Sequence, residues 1–276
     1  MLSTYTCSSE EFLKNARIPT RILPEQQMYE EMGRIMADVI KAKNEKGEHT
    51  VIICPVGPIL QYPEFVKIVN AERISLKNVW FFNMDEYLDD DGEMISKESP
   101  LSFQAIMERL LYSKIDPELA PTPDHYNFPH PGHEAEYDAQ IAALGGADCC
   151  LTGVGINGHI AFNEPPAADE PITDEEYASI GTRCLPLSKE TIVNNGANKI
   201  CGALDIFPRK CISLGMKPLM EARMFKVYLY CRWQWGIMRK IALEPATRLA
   251  PASFLQNHPN AEMVVTQELV DWRLGQ

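Results

Sequence analysis

Short apolar runs of strand length alternate with amphipathic helical stretches along most of this chain, and that alternation most narrows its fold. Across residues 26–46, Met28, Met32, Ile35, Met36 and Ile40 recur at spacings of three and four, the stripe of a helix packed on a core, with Gly47 as its terminator. Residues 50–54 read as a buried strand ended by Pro55 and Gly57. A helix over 63–71 and an aromatic strand over 79–84 follow, then helices over 101–111 and 134–144, the second ended by Gly145-Gly146. Further strands are predicted at 147–154, 211–214, 225–230 and 263–266, with a helix over 234–243. Parallel strands need a crossover, usually helical. The expected fold is therefore α/β: a Rossmann-like, mostly parallel sheet with helices on both faces and the active site at the carboxyl ends of the strands.

The 276 residues are enough to bury a sizeable core, and 45% hydrophobic with 23% charged residues excludes a disordered chain. Lysine and arginine number 26 against 38 aspartates and glutamates, a net charge of −12. That balance argues against nucleic acid or an anionic membrane as the main partner, since both call for a basic face. It leaves room for a small anion held by local positive charge. No apolar run approaches the roughly 20 residues of a spanning helix; residues 51–60 come nearest and contain Pro55 and Pro58. Residues 1–16 lack the apolar stretch of a secretory signal. Eight cysteines without a C-x-x-C pair read as reduced thiols of a cytoplasmic protein.

Three loops occupy the strand ends. The third, Gly153-Val154-Gly155-Ile156-Asn157-Gly158-His159-Ile160-Ala161-Phe162-Asn163-Glu164-Pro165, places three glycines, an imidazole and a carboxylate behind one strand. Gly155 and Gly158 permit close backbone approach to a ligand. His159 can move protons near neutral pH, and Glu164 can orient it or pair with its charge. By itself, a glycine turn with a satisfied histidine accounts for the run equally well. The second loop, Asp85-Glu86-Tyr87, offers a carboxylate that a dry setting would tune toward general-base work; Asp89, Asp90 and Asp91 equally fit a solvated acidic turn. The first loop, Pro55-Val56-Gly57-Pro58-Ile59, lacks a hydroxyl side chain and loses two N–H donors to proline, so it is a poor phosphate cradle despite Gly57. His125, His130 and His133 lie close in sequence, but no cysteine or carboxylate pattern completes a metal site, and none is expected.

With Asp85-Glu86-Tyr87 and the run from Gly153 to Pro165, the chain resembles the glucosamine-6-phosphate deaminase/isomerase family, with 6-phosphogluconolactonases as more distant relatives. The order of elements fits that family from about residue 26 to the C-terminus, and Pro251-Ala252-Ser253-Phe254-Leu255-Gln256-Asn257-His258-Pro259 resembles its final helix and turn. The resemblance implies one domain over 1–276 with a lid around 164–182. It also implies conversion of glucosamine 6-phosphate to fructose 6-phosphate and ammonia without metal or organic cofactor. Asp85 would shuttle the C2 proton, His159 would assist ring opening, and Glu164 would hold and polarise His159. Arg183 would bind phosphate; Glu86, Tyr87, Gly57, Gly155 and Gly158 would line the substrate. A homo-oligomer is expected by analogy with family members.

The sequence departs from the family in two places. Asn157 stands where the family commonly has aspartate, so the imidazole is expected to lose a charge partner and to be a weaker acid. The family's threonine- and glycine-rich first loop is absent, and a late family lysine aligns near Gln234, with Arg232 as a substitute phosphate ligand. Two rival readings follow: an isomerase or lactonase for a different sugar acid or sugar phosphate, and a sugar-phosphate sensor without turnover. Asp85 favours an isomerase, because lactone hydrolysis needs no C2 base.

Overall fold

The computed structural model describes residues 2–275. Seven parallel strands form the central sheet. In chain order the ten strands of the fold are β1 (Thr20–Ile22), β2 (Thr50–Cys54), β3 (Val79–Asn83), β4 (Asp85–Leu88), β5 (Tyr126–Asn127), β6 (Cys149–Thr152), β7 (Arg183–Pro186), β8 (Lys210–Ser213), β9 (Phe225–Leu229) and β10 (Ala261–Val265). The central sheet runs β1-β10-β9-β6-β2-β3-β5. β2 lies near its middle and is buried on both faces, as its unbroken Thr-Val-Ile-Ile-Cys reading requires. Its side chains alternate: Ile52 and Cys54 enter one core with Met28, Met32 and Phe65, whereas Val51 and Ile53 enter the other with Phe225, Met238 and Ile241.

The expected helix at 26–46 forms as Glu25–Glu45, with Met28, Met32, Met36 and Ile40 buried. Gly33 lets it approach the helix Gln61–Glu72: a Cβ there would lie 2.8 Å from the Phe65 backbone nitrogen. Among the described residues no helix is long and apolar enough to cross a membrane.

Two features of this topology place the site. From β2 the chain moves outward to β3 and β5, then returns to β6 on the other side of β2. The loops after β2 and β6 therefore diverge in opposite senses and open a crevice at the switch point, where open α/β sheets bind ligands. The two loops touch at its floor, where Gly153 N–H donates to Gly57 C=O at 3.3 Å. The second feature is a small antiparallel sheet, β4-β8-β7. The sequence leaves residues 85–91 as a polar loop after β3, either a catalytic strand tip or a solvated acidic turn. Instead, all four residues of β4 are buried, and Asp85 pairs with Ser213 of β8. Met84 joins the sheets, donating to Cys54 C=O and accepting from Leu214 N–H.

Candidate active site

A cleft of about 280 Å³ opens at the carboxyl ends of β2, β3 and β6. Pro55–Pro58, Asp85, Gly153–Gly155 and His159 line it, so the three loops singled out in the sequence converge on one cavity. Asp85 is 6% exposed. Burial first, and the neighbouring Glu86 charge second, push its carboxyl up to about 8 against the opposing pull of Lys199. A carboxylate so placed ionises within the range where proton transfer to and from carbon is useful.

His159 is held by a short chain of polar contacts. Its Nδ1 lies 2.9 Å from Asn157 Oδ1, 3.3 Å from Thr191 Oγ1 and 3.4 Å from Glu164 Oε2. An amide oxygen and a carboxylate oxygen at one nitrogen assign the neutral ring's proton to Nδ1 and leave the Nε2 lone pair free. Nε2 lies against the cleft wall at Gly155, where an added Cβ would approach it to 1.9 Å. Gly155 is thus dictated by the imidazole behind it. Gly158, at φ +91°, closes the turn: its N–H donates to Gly155 C=O, its C=O accepts from Ala252 N–H, and a Cβ would crowd Ile237 and Ala250.

Asn157 and Glu164 stand behind the ring and do not line the cleft. Asn157 Nδ2 donates to Glu164 Oε2 at 2.6 Å and to Ser188 Oγ at 3.1 Å. Burial pushes the Glu164 carboxyl up, but His159, Asn157 and Thr191 outweigh it and hold it at about 2. A carboxylate charge therefore faces the imidazole from Glu164, while residue 157 offers it an uncharged amide oxygen.

Other sequence candidates lie elsewhere. Glu86 is fully buried and anchors the start of the helix Phe103–Leu110. Its Oε1 accepts from Tyr87 and Phe103 N–H at 2.9 and 3.0 Å, and its Oε2 from Gln104 N–H at 2.9 Å and Ser102 Oγ at 3.2 Å. Tyr87 packs between Phe103, Phe162 and Phe207, its hydroxyl accepting from Asn195 Nδ2. Arg183 Nη1 donates to Asn163 Oδ1 at 2.8 Å, and Arg232 pairs with Glu268 at 2.7 Å and lies over the Trp272 ring. Neither arginine lines the cleft. Gln234 does, but its amide is committed, accepting from Tyr230 and Cys231 N–H and donating to Val154 C=O. Residues 164–182 are tied down by Tyr177 on Glu164 C=O, Thr182 on Asp138 and Asp174 on Arg248, and none of them lines the cleft. Of the three clustered histidines, His125 stacks on Trp80 and His133 pairs with Glu136.

One wall was not read from the sequence. The helix Lys189–Ile200 contributes Asn194, Asn195, Asn198 and Lys199 to the cleft. Its Asn-Asn-Gly-Ala-Asn run contains poor helix formers, which hides it. The available signal was Ser188, whose side chain caps the helix by accepting from Thr191 N–H.

No family model matches the chain. Comparison with known proteins gives a glucosamine-6-phosphate deaminase 2 of Bacillus subtilis (strain 168), 31% identical over 245 residues, covering 86% of this chain and 91% of that protein. A glucosamine-6-phosphate deaminase of Lysinibacillus sphaericus (strain C3-41) is 28% identical over 250 residues, 87% of this chain and 96% of the relative. Among solved structures, a monomeric glucosamine-6-phosphate deaminase superposes with a TM-score of 0.78 at 22% identity, covering 93% of this chain and all of that one. The 6-phosphogluconolactonase of Trypanosoma brucei gives 0.62 at 17%, over 92% of this chain and 98% of its own. Identity above 30% along nearly the whole of both sequences, on a fold that brings the three loops to one cleft, means that the chain belongs to the glucosamine-6-phosphate deaminase family.

Proposed function

We propose that the protein converts glucosamine 6-phosphate to fructose 6-phosphate and ammonia, with Asp85 as the base at carbon and His159 as the acid/base at the ring. The observation that carries this reading is that Asp85 and His159, from two different strand ends, line one cleft. Family membership supports the substrate class.

The chemistry divides between the two groups. His159 Nε2 takes the C1 hydroxyl proton and returns a proton to the ring oxygen as the C1–O5 bond opens, leaving an open-chain aldehyde. Asp85 removes the C2 proton while the substrate's own C2 ammonium gives a proton to O1, giving the 1,2-enolamine. Asp85 then delivers that proton to C1, and the resulting C2 iminium adds water and releases ammonium, leaving the C2 ketone. A carboxyl held near 8 by burial suits a group that must take a proton and hand it back. The Nδ1 contacts fix the imidazole's tautomer and orientation for the first step.

The test is to incubate purified protein with glucosamine 6-phosphate in deuterated water and to follow ammonia and fructose 6-phosphate. Equimolar products are expected, with C1 carrying the protium taken from C2 apart from what exchanges with solvent on Asp85, and both products are lost in Asp85→Asn. Turnover surviving intact in Asp85→Asn would refute the assignment of the base, and a folded wild type that releases no ammonia would refute the substrate.

A further inference from the structure

We infer that Cys7, whose sulfur lies against the buried guanidinium of Arg239, is a site of reversible oxidation by hydroperoxides, with Arg239 holding the sulfenic acid formed there. The two residues meet where the N-terminal helices Leu2–Thr6 and Ser9–Asn15 pack on the helix Trp235–Leu243, and neither lines the cleft. Arg239 has no exposed surface. An arginine buried to that degree ordinarily has a carboxylate beside it. Among the described residues Arg239 has none: Nη1 donates to Cys7 Sγ at 2.8 Å, to Cys7 C=O at 3.0 Å and to Thr4 C=O at 3.4 Å. The guanidinium lies over the rings of Phe12 and Trp235, 5.3 and 5.0 Å from their centroids. Its Nε and Nη2 are buried without a partner, and so is Nε1 of Trp235. A buried cation thus keeps two donor nitrogens that the reduced thiol does not satisfy, and such groups are costly unless something accepts from them.

Cys7 is set apart from the other cysteines by this neighbour. Cys54, Cys149, Cys150 and Cys211 are buried in the cores. Cys184 and Cys201 are more exposed than Cys7, yet no cation donates to either among the described residues. Cys184 sits beside Glu134, and partial burial together with that carboxylate pushes its thiol up to about 11. Reactive cysteines occupy electropositive, partly exposed settings, and Cys7 is partly exposed with a guanidinium on its sulfur. The step balances simply. The Cys7 sulfur donates an electron pair to the terminal oxygen of a hydroperoxide, an S–O bond forms and the O–O bond breaks. The thiol proton goes to the departing oxygen, which leaves as water or an alcohol. Sulfur is oxidised by two electrons and the peroxide reduced by two. Nη2, bonded to the same carbon as Nη1, is the donor within reach of the new oxygen. A low-molecular-weight thiol reverses the change: one molecule displaces water to give a mixed disulfide, and a second releases the Cys7 thiol.

The experiment reads the site directly. Native protein is exposed to hydrogen peroxide in the presence of dimedone, which traps sulfenic acids, and the adduct at each cysteine is followed by peptide mass spectrometry. Cys7 is expected to be labelled about 10-fold faster than Cys184 or Cys201, against the order of exposure, and to lose that lead in protein unfolded in urea. In folded Arg239→Met the Cys7 rate should fall to that of the exposed cysteines. Labelling of Cys184 or Cys201 as fast as Cys7 in the native protein overturns the inference, as does a Cys7 rate that is the same folded and unfolded, or one that Arg239→Met leaves unchanged. Should Arg239→Met fail to fold, the native and urea-unfolded wild type decide. None of these measurements involves turnover, so their outcome is separate from that of the activity proposed above.

Discussion

Replacing Asp85 by asparagine is expected to abolish turnover and to make the protein more stable, by an amount that grows with pH. Asp85 lies at the seam between the two sheets and its carboxylate accepts no hydrogen bond from the described residues, so its charge is poorly solvated. Burial raises its carboxyl from 3.8 to about 8. Between those values the folded protein keeps a proton that the unfolded chain has released. The folded state therefore binds more protons, and stability falls as pH rises through that window, flattening above about 8. At about 1.36 kcal/mol per pH unit, wild type loses about 3 kcal/mol between pH 5 and pH 7 on account of this one group, and about 1 kcal/mol more by pH 9. Asparagine is nearly isosteric and does not titrate. The gap between variant and wild type should widen by those amounts. Urea unfolding of both proteins at pH 5, 7 and 9 measures it, with the m-value checked for constancy. A gap that stays flat, or that narrows with pH, would refute the claim that burial raises the Asp85 carboxyl. Such a trade, activity bought with a destabilised carboxyl, is common at active sites.

Four further outcomes follow from the same geometry. kcat/KM is expected to rise with pH and level near 8, because the free protein must ionise Asp85 before it can accept a proton from carbon; a profile flat from pH 6 to pH 9 would contradict that. Gly155→Ala forces His159 aside, since the new methyl would lie 1.9 Å from Nε2. It should lower kcat by at least 100-fold at a stability cost of about 1–3 kcal/mol, read by kinetics and denaturation. Glu86→Ala removes four hydrogen bonds, three of which hold the start of the helix Phe103–Leu110, and a loss of about 3 kcal/mol on thermal or urea unfolding is expected. Glu164 is held at about 2 in the fold against 4.5 ordinarily, so its contribution is complete above pH 4.5 and is lost as pH falls toward 2; Glu164→Gln should erase that acid-side slope in unfolding experiments.

Much of the site could be read before any coordinates, and the reasons are local. A glycine-rich run behind a strand, carrying an imidazole and a carboxylate, constrains its own backbone: Gly155 faces His159 and Gly158 takes a positive φ, both set by residues within the loop. The apolar stripe of Glu25–Glu45 and the unbroken run of β2 likewise record their burial in their spacing. What could not be read depended on distant partners. Asp85-Glu86-Tyr87-Leu88 looks like the start of a solvated acidic turn until β8 pairs with it across more than a hundred residues. Glu86 looked like a ligand residue and proves to be a helix anchor, because its partners at 102–104 approach only in the folded chain. Lys199 lay in a stretch of asparagines and glycine with weak helical preference, and tertiary packing of Ile192 and Gly196 made that stretch a helix.

By itself, then, the sequence determined the α/β class, the three strand-end loops and the pairing of a carboxylate with an imidazole as the chemical core, because periodicity, glycine placement and side-chain chemistry act over a few residues. Tertiary structure decided which of the charged residues face the cleft. Charge carries no address along a chain: nothing in the sequence separates Arg183 and Arg232 from Lys199, and only the packing of β7, of the Glu268 side chain and of the helix Lys189–Ile200 turns two of them away and leaves the third on the cleft wall.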